Sequence, residues 1–214
     1  MILFPALILP LSGNFLWVEG WVFSIWFDAM MLANWIYLYT KNPSLIEERL
    51  NKHGYQNQKK WDKYLLRSLF ILSFSWITIM PLDAQQFHLS PDFPFFIKTI
   101  GFTLLVPAFY FCIRPTMDNP YLSTVVRIQD DRKQKVIESG AYGFVRHPQY
   151  LGILLLIIGG PLFLNSIFGL ILGICIAMLF VVRIIGEEKM LSEELDGYVE
   201  YKQKVKYRLI PLIW

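Results

Sequence analysis

The chain has 214 residues, 55% of them hydrophobic, 16% aromatic and only 17% charged, with a net charge of +3. Soluble domains carry about a quarter charged residues and fewer apolar ones, so lipid rather than water is the expected solvent. The length fits a single domain over residues 1–214, and the small net charge and lack of any nucleic-acid motif argue against a nucleic-acid partner.

A first apolar piece, Ile2 to Leu11, is punctuated by Pro5 and Pro10. At 1.5 Å per residue it reaches roughly half a bilayer, which leaves a re-entrant, interfacial or short first helix open. No basic segment or small-residue cleavage site makes it a cleavable signal. Four longer apolar stretches follow, from Leu16 to Tyr39, Tyr64 to Leu82, Phe93 to Ile113 and Leu151 to Val182. The last exceeds one crossing, given about 20 residues per span, and Gly159-Gly160-Pro161 and Asn165-Ser166 interrupt it. It is predicted to be a helical hairpin turning between Asn165 and Phe168. The chain is therefore expected to be an all-α membrane protein of about five transmembrane helices. Cys112 and Cys175 fall in apolar segments and are expected to be buried thiols.

Lys and Arg set the orientation. They cluster in Lys41 to Arg67, Arg114 to Arg146 and Arg183 to Arg208, and only Lys98 lies elsewhere. Those segments follow alternate crossings and so share one face, which the positive-inside rule makes cytoplasmic. Arg146 and Arg183 then sit at the two feet of one hairpin. Beyond Arg183 the tail is predicted to be helical, and Leu191, Leu195, Tyr198 and Tyr201 recur as an amphipathic stripe suited to a membrane surface.

The chemistry concentrates at those feet. Arg183 and Glu187 are one helical turn apart, which suits either a simple salt bridge or a zwitterion clamp, while Glu188 points about 100° away, toward solvent or Lys189. His147-Pro148 opens a helix, with Tyr142 and Tyr150 flanking; the histidine is either a cap or part of a site. The Ser139-Gly140 turn is expected to present backbone amides to a ligand. No hydrolytic triad, phosphate loop or dinucleotide fingerprint can be assembled. His53, His88 and His147 lie on separate segments, so no metal site is expected. Asp28, midway along the first long span, is a functional candidate by its cost there, or else an aspartate hydrogen-bonded to Asn34 or a neighbouring helix.

Gly140, Tyr142, Arg146, His147, Pro148, Tyr150, then Arg183, Glu187, Glu188 and Ile210-Pro211 together resemble the signature of the integral-membrane methyltransferases. That family includes isoprenylcysteine carboxyl methyltransferase and the phospholipid N-methyltransferases. The resemblance runs from about Val125 to the C-terminus, and Asn42 to Leu50 also looks like a loop of bacterial members. It implies S-adenosylmethionine as methyl donor, S-adenosylhomocysteine as product, and a site at the cytoplasmic foot of the hairpin. Carried over by position, Tyr142 and the turn His147, Pro148, Gln149, Tyr150 hold the adenosine. Glu187 binds the donor's amino-acid moiety and Arg183 faces the acceptor. Gln134, Lys135, Val136 and Ile137 stand where the family contacts the cofactor mostly by backbone, although a histidine is replaced here by Gln134. Gly143 stands where many relatives carry arginine. The expected acceptor is a membrane lipid or a lipidated small molecule or protein, and carboxyl O-methylation of an isoprenylcysteine-like group is favoured. Phospholipid N-methylation and thiol S-methylation are the alternatives. An NADPH-dependent sterol-type reductase and a non-catalytic membrane protein are the other classes that the sequence leaves open.

Overall fold

The computed structural model describes residues 3–50 and 57–214, and every described regular element is helical. Helix α1 (Leu3–Ser12) turns at Gly13 into α2 (Val18–Lys41), and a short α3 (Pro43–Leu50) follows. Next come α4 (Lys60–Pro81), which ends in a π turn over Leu82–Gln86, and α5 (Phe95–Asp118). A long connection containing 3₁₀ turns at Asp130–Arg132 and Gly140–Gly143 leads to α6 (Pro148–Leu164), α7 (Ile167–Glu194) and α8 (Tyr198–Lys204).

Helices α2, α4, α5 and α7 are long and apolar enough to cross a membrane, and α6 is a shorter apolar helix of 17 residues. Only 22% to 28% of the residues in the four long spans are buried inside the protein. Trp35, Phe70, Val106 and Met178 face outward instead, an arrangement that suits lipid and would be costly in water. Together α6 and α7 form the predicted C-terminal hairpin. Its turn needs a left-handed residue, and Asn165 supplies one at φ 67°. The Asn165 side-chain oxygen accepts from the Phe93 amide. Ser166 accepts from Gly169 N–H at 2.9 Å and donates to Asp83 at 2.6 Å, pinning the hairpin to the π turn that ends α4.

Helices α5 and α6 pack with their backbones almost touching. A Cβ at Gly159 would lie 2.9 Å from the Gly101 carbonyl oxygen, and one at Gly101 only 2.4 Å from the Phe163 nitrogen. Small residues allow this approach, which in lipid replaces hydrophobic burial as the source of packing energy. The aromatic core between α1, α2, α4 and α6 centres on Phe23, Trp76 and Met80.

Ile2 lies outside the described residues, and the rest of the first apolar piece forms α1, which folds back along α2. Asp28 accepts from the Phe4 amide at 3.3 Å, satisfying a first-turn N–H of α1. The hydrogen-bonded reading of Asp28 therefore holds, with α1 rather than Asn34 as its partner. Lys98, the one basic residue at the other end of the bundle, is paired with Glu19 at 2.9 Å. Cys112 is buried as expected, but Cys175 is only half-buried; both are free thiols. His88 sits in the loop after the π turn, and His53 lies outside the described residues.

Candidate functional site

The foot of the hairpin is built on a buried ion network. Proline at the first position of α6 needs no N–H, so the helix can start abruptly after His147. The preceding backbone pairs with the C-terminal tail, Arg146 N–H with Tyr207 and His147 N–H with Arg208, each at 2.9 Å. The Arg146 guanidinium donates to Glu188 at 2.6 Å and to the Val205 and Lys206 carbonyls at 2.7 and 2.9 Å. Arg208 donates to the other Glu188 oxygen at 2.8 Å, and His147 Nε2 lies 3.3 Å from Glu188. Glu188 is thus almost wholly buried and ties three segments together. The expectation that it faces solvent or Lys189 is wrong, because Arg146 and Arg208 converge on its side of α7. His147 makes no side-chain cap bond and instead stacks on Tyr150, with ring centroids 5.4 Å apart.

Glu187, the neighbouring residue, has a different environment. It is half-buried, accepts one hydrogen bond from the Tyr150 hydroxyl at 2.7 Å, and forms no salt bridge among the described residues, although the Arg183 charge lies near enough to feel it. The i,i+4 salt bridge to Arg183 does not form. Arg183 is held by Asp62 at 3.0 Å and by the Thr124 carbonyl at 2.8 Å, with its guanidinium 5.8 Å from the Tyr150 ring centre. Asp62 was not legible as a site residue. It lies in the first turn of α4, fully buried, and also accepts from Val126 N–H at 2.9 Å and Gln58 at 2.8 Å.

Arg146, His147, Tyr150, Arg183 and Glu187 border a cavity of about 310 Å³. Every sequence-predicted site residue lines it: Gln134, Lys135, Val136, Ile137, Tyr142, His147, Pro148, Gln149, Tyr150, Arg183 and Glu187. Three local contacts bear on these expectations. In the Gly140 turn (φ +63°) the Ala141 N–H is not open to a ligand, because it donates to Asp118 at 2.8 Å. The Gln134 side chain closes its own loop by accepting from Gln129 N–H at 2.9 Å. The Leu191, Leu195, Tyr198, Tyr201 stripe does not lie on a membrane surface but packs on Tyr142, Val136 and Ile137 and forms a cavity wall. The apolar spacing was the right signal; the surface it covers was not readable from it.

Burial pushes the Tyr142, Tyr198 and Tyr201 phenols above their ordinary pKa, so they stay neutral donors. Tyr201 donates to the Tyr142 carbonyl at 2.7 Å, whereas the buried Tyr198 hydroxyl has no hydrogen-bond partner among the described residues. A cavity with flat rings, one unpaired carboxylate and one orphaned hydroxyl matches the needs of a nucleoside bearing an ammonium. The residues present therefore fit S-adenosylmethionine.

A family model described as the isoprenylcysteine carboxyl methyltransferase (ICMT) family matches residues 94–193. The protein-S-isoprenylcysteine O-methyltransferase of Saccharomyces cerevisiae is 35% identical over 85 residues, which cover 39% of this chain and 36% of the yeast protein. The family match holds the hairpin and its feet; Asp62 and the C-terminal tail lie outside it.

Proposed function

We propose that this chain, whose residues 94–193 match the isoprenylcysteine carboxyl methyltransferase family model, methylates a carboxylate on a lipophilic, isoprenylcysteine-like acceptor with S-adenosylmethionine as donor. The observation that carries this reading is Glu187, a half-buried carboxylate with no salt bridge among the described residues, in a cavity walled by tyrosines. Its free charge is matched by the donor's ammonium, and Tyr150 fixes its orientation. Tyr142 and the turn from His147 to Tyr150 hold the adenosine, the Gln134 to Ile137 segment supports it by backbone, and Arg183 faces the acceptor.

When bound, the donor supplies a sulfonium methyl: the carboxylate oxygen forms the new C–O bond as the C–S pair returns to sulfur, and no proton moves. The protein's task is then positioning and exclusion of water. Ile153 and Phe180 provide an apolar wall for the acceptor's lipid part. Arg183, with its Nη1 unengaged among the described residues, directs a hydrogen bond at the reacting carboxylate. An amine acceptor would need a base to remove a proton, and the adjacent Glu188 is engaged by Arg146, His147 and Arg208. The concentration of Lys and Arg at this end of the bundle supports placing the cavity at the cytoplasmic face.

Calorimetry of the purified protein with S-adenosylhomocysteine and with NADPH tests the donor, with binding of the first alone expected. Labelled donor with an S-prenylcysteine and with membrane lipid extract tests the acceptor. Label released as volatile methanol by alkali marks an ester, and alkali-stable label would overturn carboxyl methylation.

A further inference from the structure

The cavity holds a second unpaired charge. Most cations near the site are neutralised by an acid: Arg146 and Arg208 by Glu188, Arg183 by Asp62, and Arg127 by Glu48 and Asp131. Arg49, at the end of α3, also lines the cavity, yet no carboxylate meets it among the described residues. Among the described residues its polar contact is the Leu122 carbonyl, at 3.4 Å from Nε and 3.3 Å from Nη2. Both are beyond the usual 2.7–3.2 Å range for such bonds. The nearby acids do not serve it, because Glu48 is bound to Arg127 and Glu47 is exposed. Lys135 lines the same cavity but is solvent-exposed, so water screens its charge. Burial also depresses the Arg49 pKa, as expected for a cation losing water without gaining a counter-ion.

We propose that Arg49 holds a carboxylate of the bound reactants, either the donor's own or the acceptor's. This rests on the methyl-transfer reading above and extends it. Charge balance supports it. The donor carries a sulfonium, an ammonium and a carboxylate, and the acceptor adds another carboxylate. Glu187 and Arg49 then leave the filled site neutral, whereas Glu187 by itself leaves it one negative charge in excess. A guanidinium suits the task because its planar fork matches a carboxylate. Arg49 lies outside the residues that the family model covers, so α3 contributes a determinant of its own to the site.

The test compares wild type with Arg49→Ala, Arg49→Gln and Arg49→Lys. The readouts are the affinity for S-adenosylhomocysteine, the affinity for its decarboxylated analogue, and the KM for an S-prenylcysteine. If Arg49 holds the donor's carboxylate, Arg49→Ala weakens S-adenosylhomocysteine about ten- to a hundred-fold and leaves the decarboxylated analogue unchanged. If it holds the acceptor's, donor affinity is unchanged and acceptor KM rises by a similar factor. In either case Arg49→Lys recovers part of the loss. Arg49→Gln keeps a donor for the Leu122 carbonyl without the charge, so it serves where the alanine variant is poorly folded. The proposal is overturned if Arg49→Gln matches wild type in all three readouts, or if the two donor analogues weaken equally with acceptor KM unchanged. Wild-type protein that binds no S-adenosylhomocysteine would instead overturn the broader reading.

Discussion

Asp62 and Arg183 are 121 positions apart in the chain, yet their side chains meet at 3.0 Å. The aspartate is fully buried, and its second oxygen accepts from Val126 N–H and Gln58. One carboxylate thereby joins the first turn of α4, the loop bordering the cavity and the arginine proposed to face the acceptor. A buried pair contributes little relative to well-packed apolar groups, but losing one partner strands the other charge.

Asp62→Ala is therefore expected to destabilise the protein by about 3–5 kcal/mol and to lower turnover more than donor affinity. Asp62→Asn, which keeps the shape and one acceptor, falls between it and wild type. An unchanged thermal midpoint in the alanine variant would rule out the structural importance of the pair.

Glu187→Gln removes the charge proposed to bind the donor's ammonium while leaving the fold alone, since its one side-chain hydrogen bond among the described residues comes from Tyr150. S-adenosylhomocysteine affinity should fall about ten- to a hundred-fold with little change in thermal midpoint. Calorimetry and a melting curve on the same preparation check both halves, and wild-type affinity would refute the donor assignment.

Glu188→Gln should do the reverse. It leaves Arg146 and Arg208 without their shared counter-charge and loosens the tail from the foot of α6. The expected cost is about 3–5 kcal/mol, visible as faster proteolysis after Val205. If this variant kept wild-type stability but lost donor binding, the two adjacent glutamates would have been assigned the wrong way round.

Alkali should weaken the cavity wall. Burial raises the Tyr142, Tyr198 and Tyr201 phenols above an unfolded value of about 10. The unfolded chain therefore loses these protons before the folded one. The stabilisation is complete below about pH 10 and declines as pH rises toward the folded pKa values. The thermal midpoint should fall above about pH 10, and less steeply in Tyr198→Phe, since the Tyr198 hydroxyl that it removes has no hydrogen-bond partner among the described residues. Identical slopes in the two proteins would count against a neutral buried Tyr198.

Much of this architecture can be read directly from the chain. Lengths of apolar runs set the spans, Asn165-Ser166 marks the hairpin turn, and the distribution of Lys and Arg places both feet at one end. The signature residues were enough to gather one cavity's lining from segments on both sides of the hairpin. What sequence could not decide was the facing of individual side chains. Periodicity puts Glu187 and Glu188 about 100° apart, but a helix in lipid is apolar on most sides and so has no pattern to show which angle points inward. Only the convergence of Arg146 and Arg208 on Glu188 settled it. The same limit applies to Asp62, Arg49 and Tyr198. Their partners or cavity neighbours come from remote segments, and long-range pairing leaves no local trace in spacing or composition.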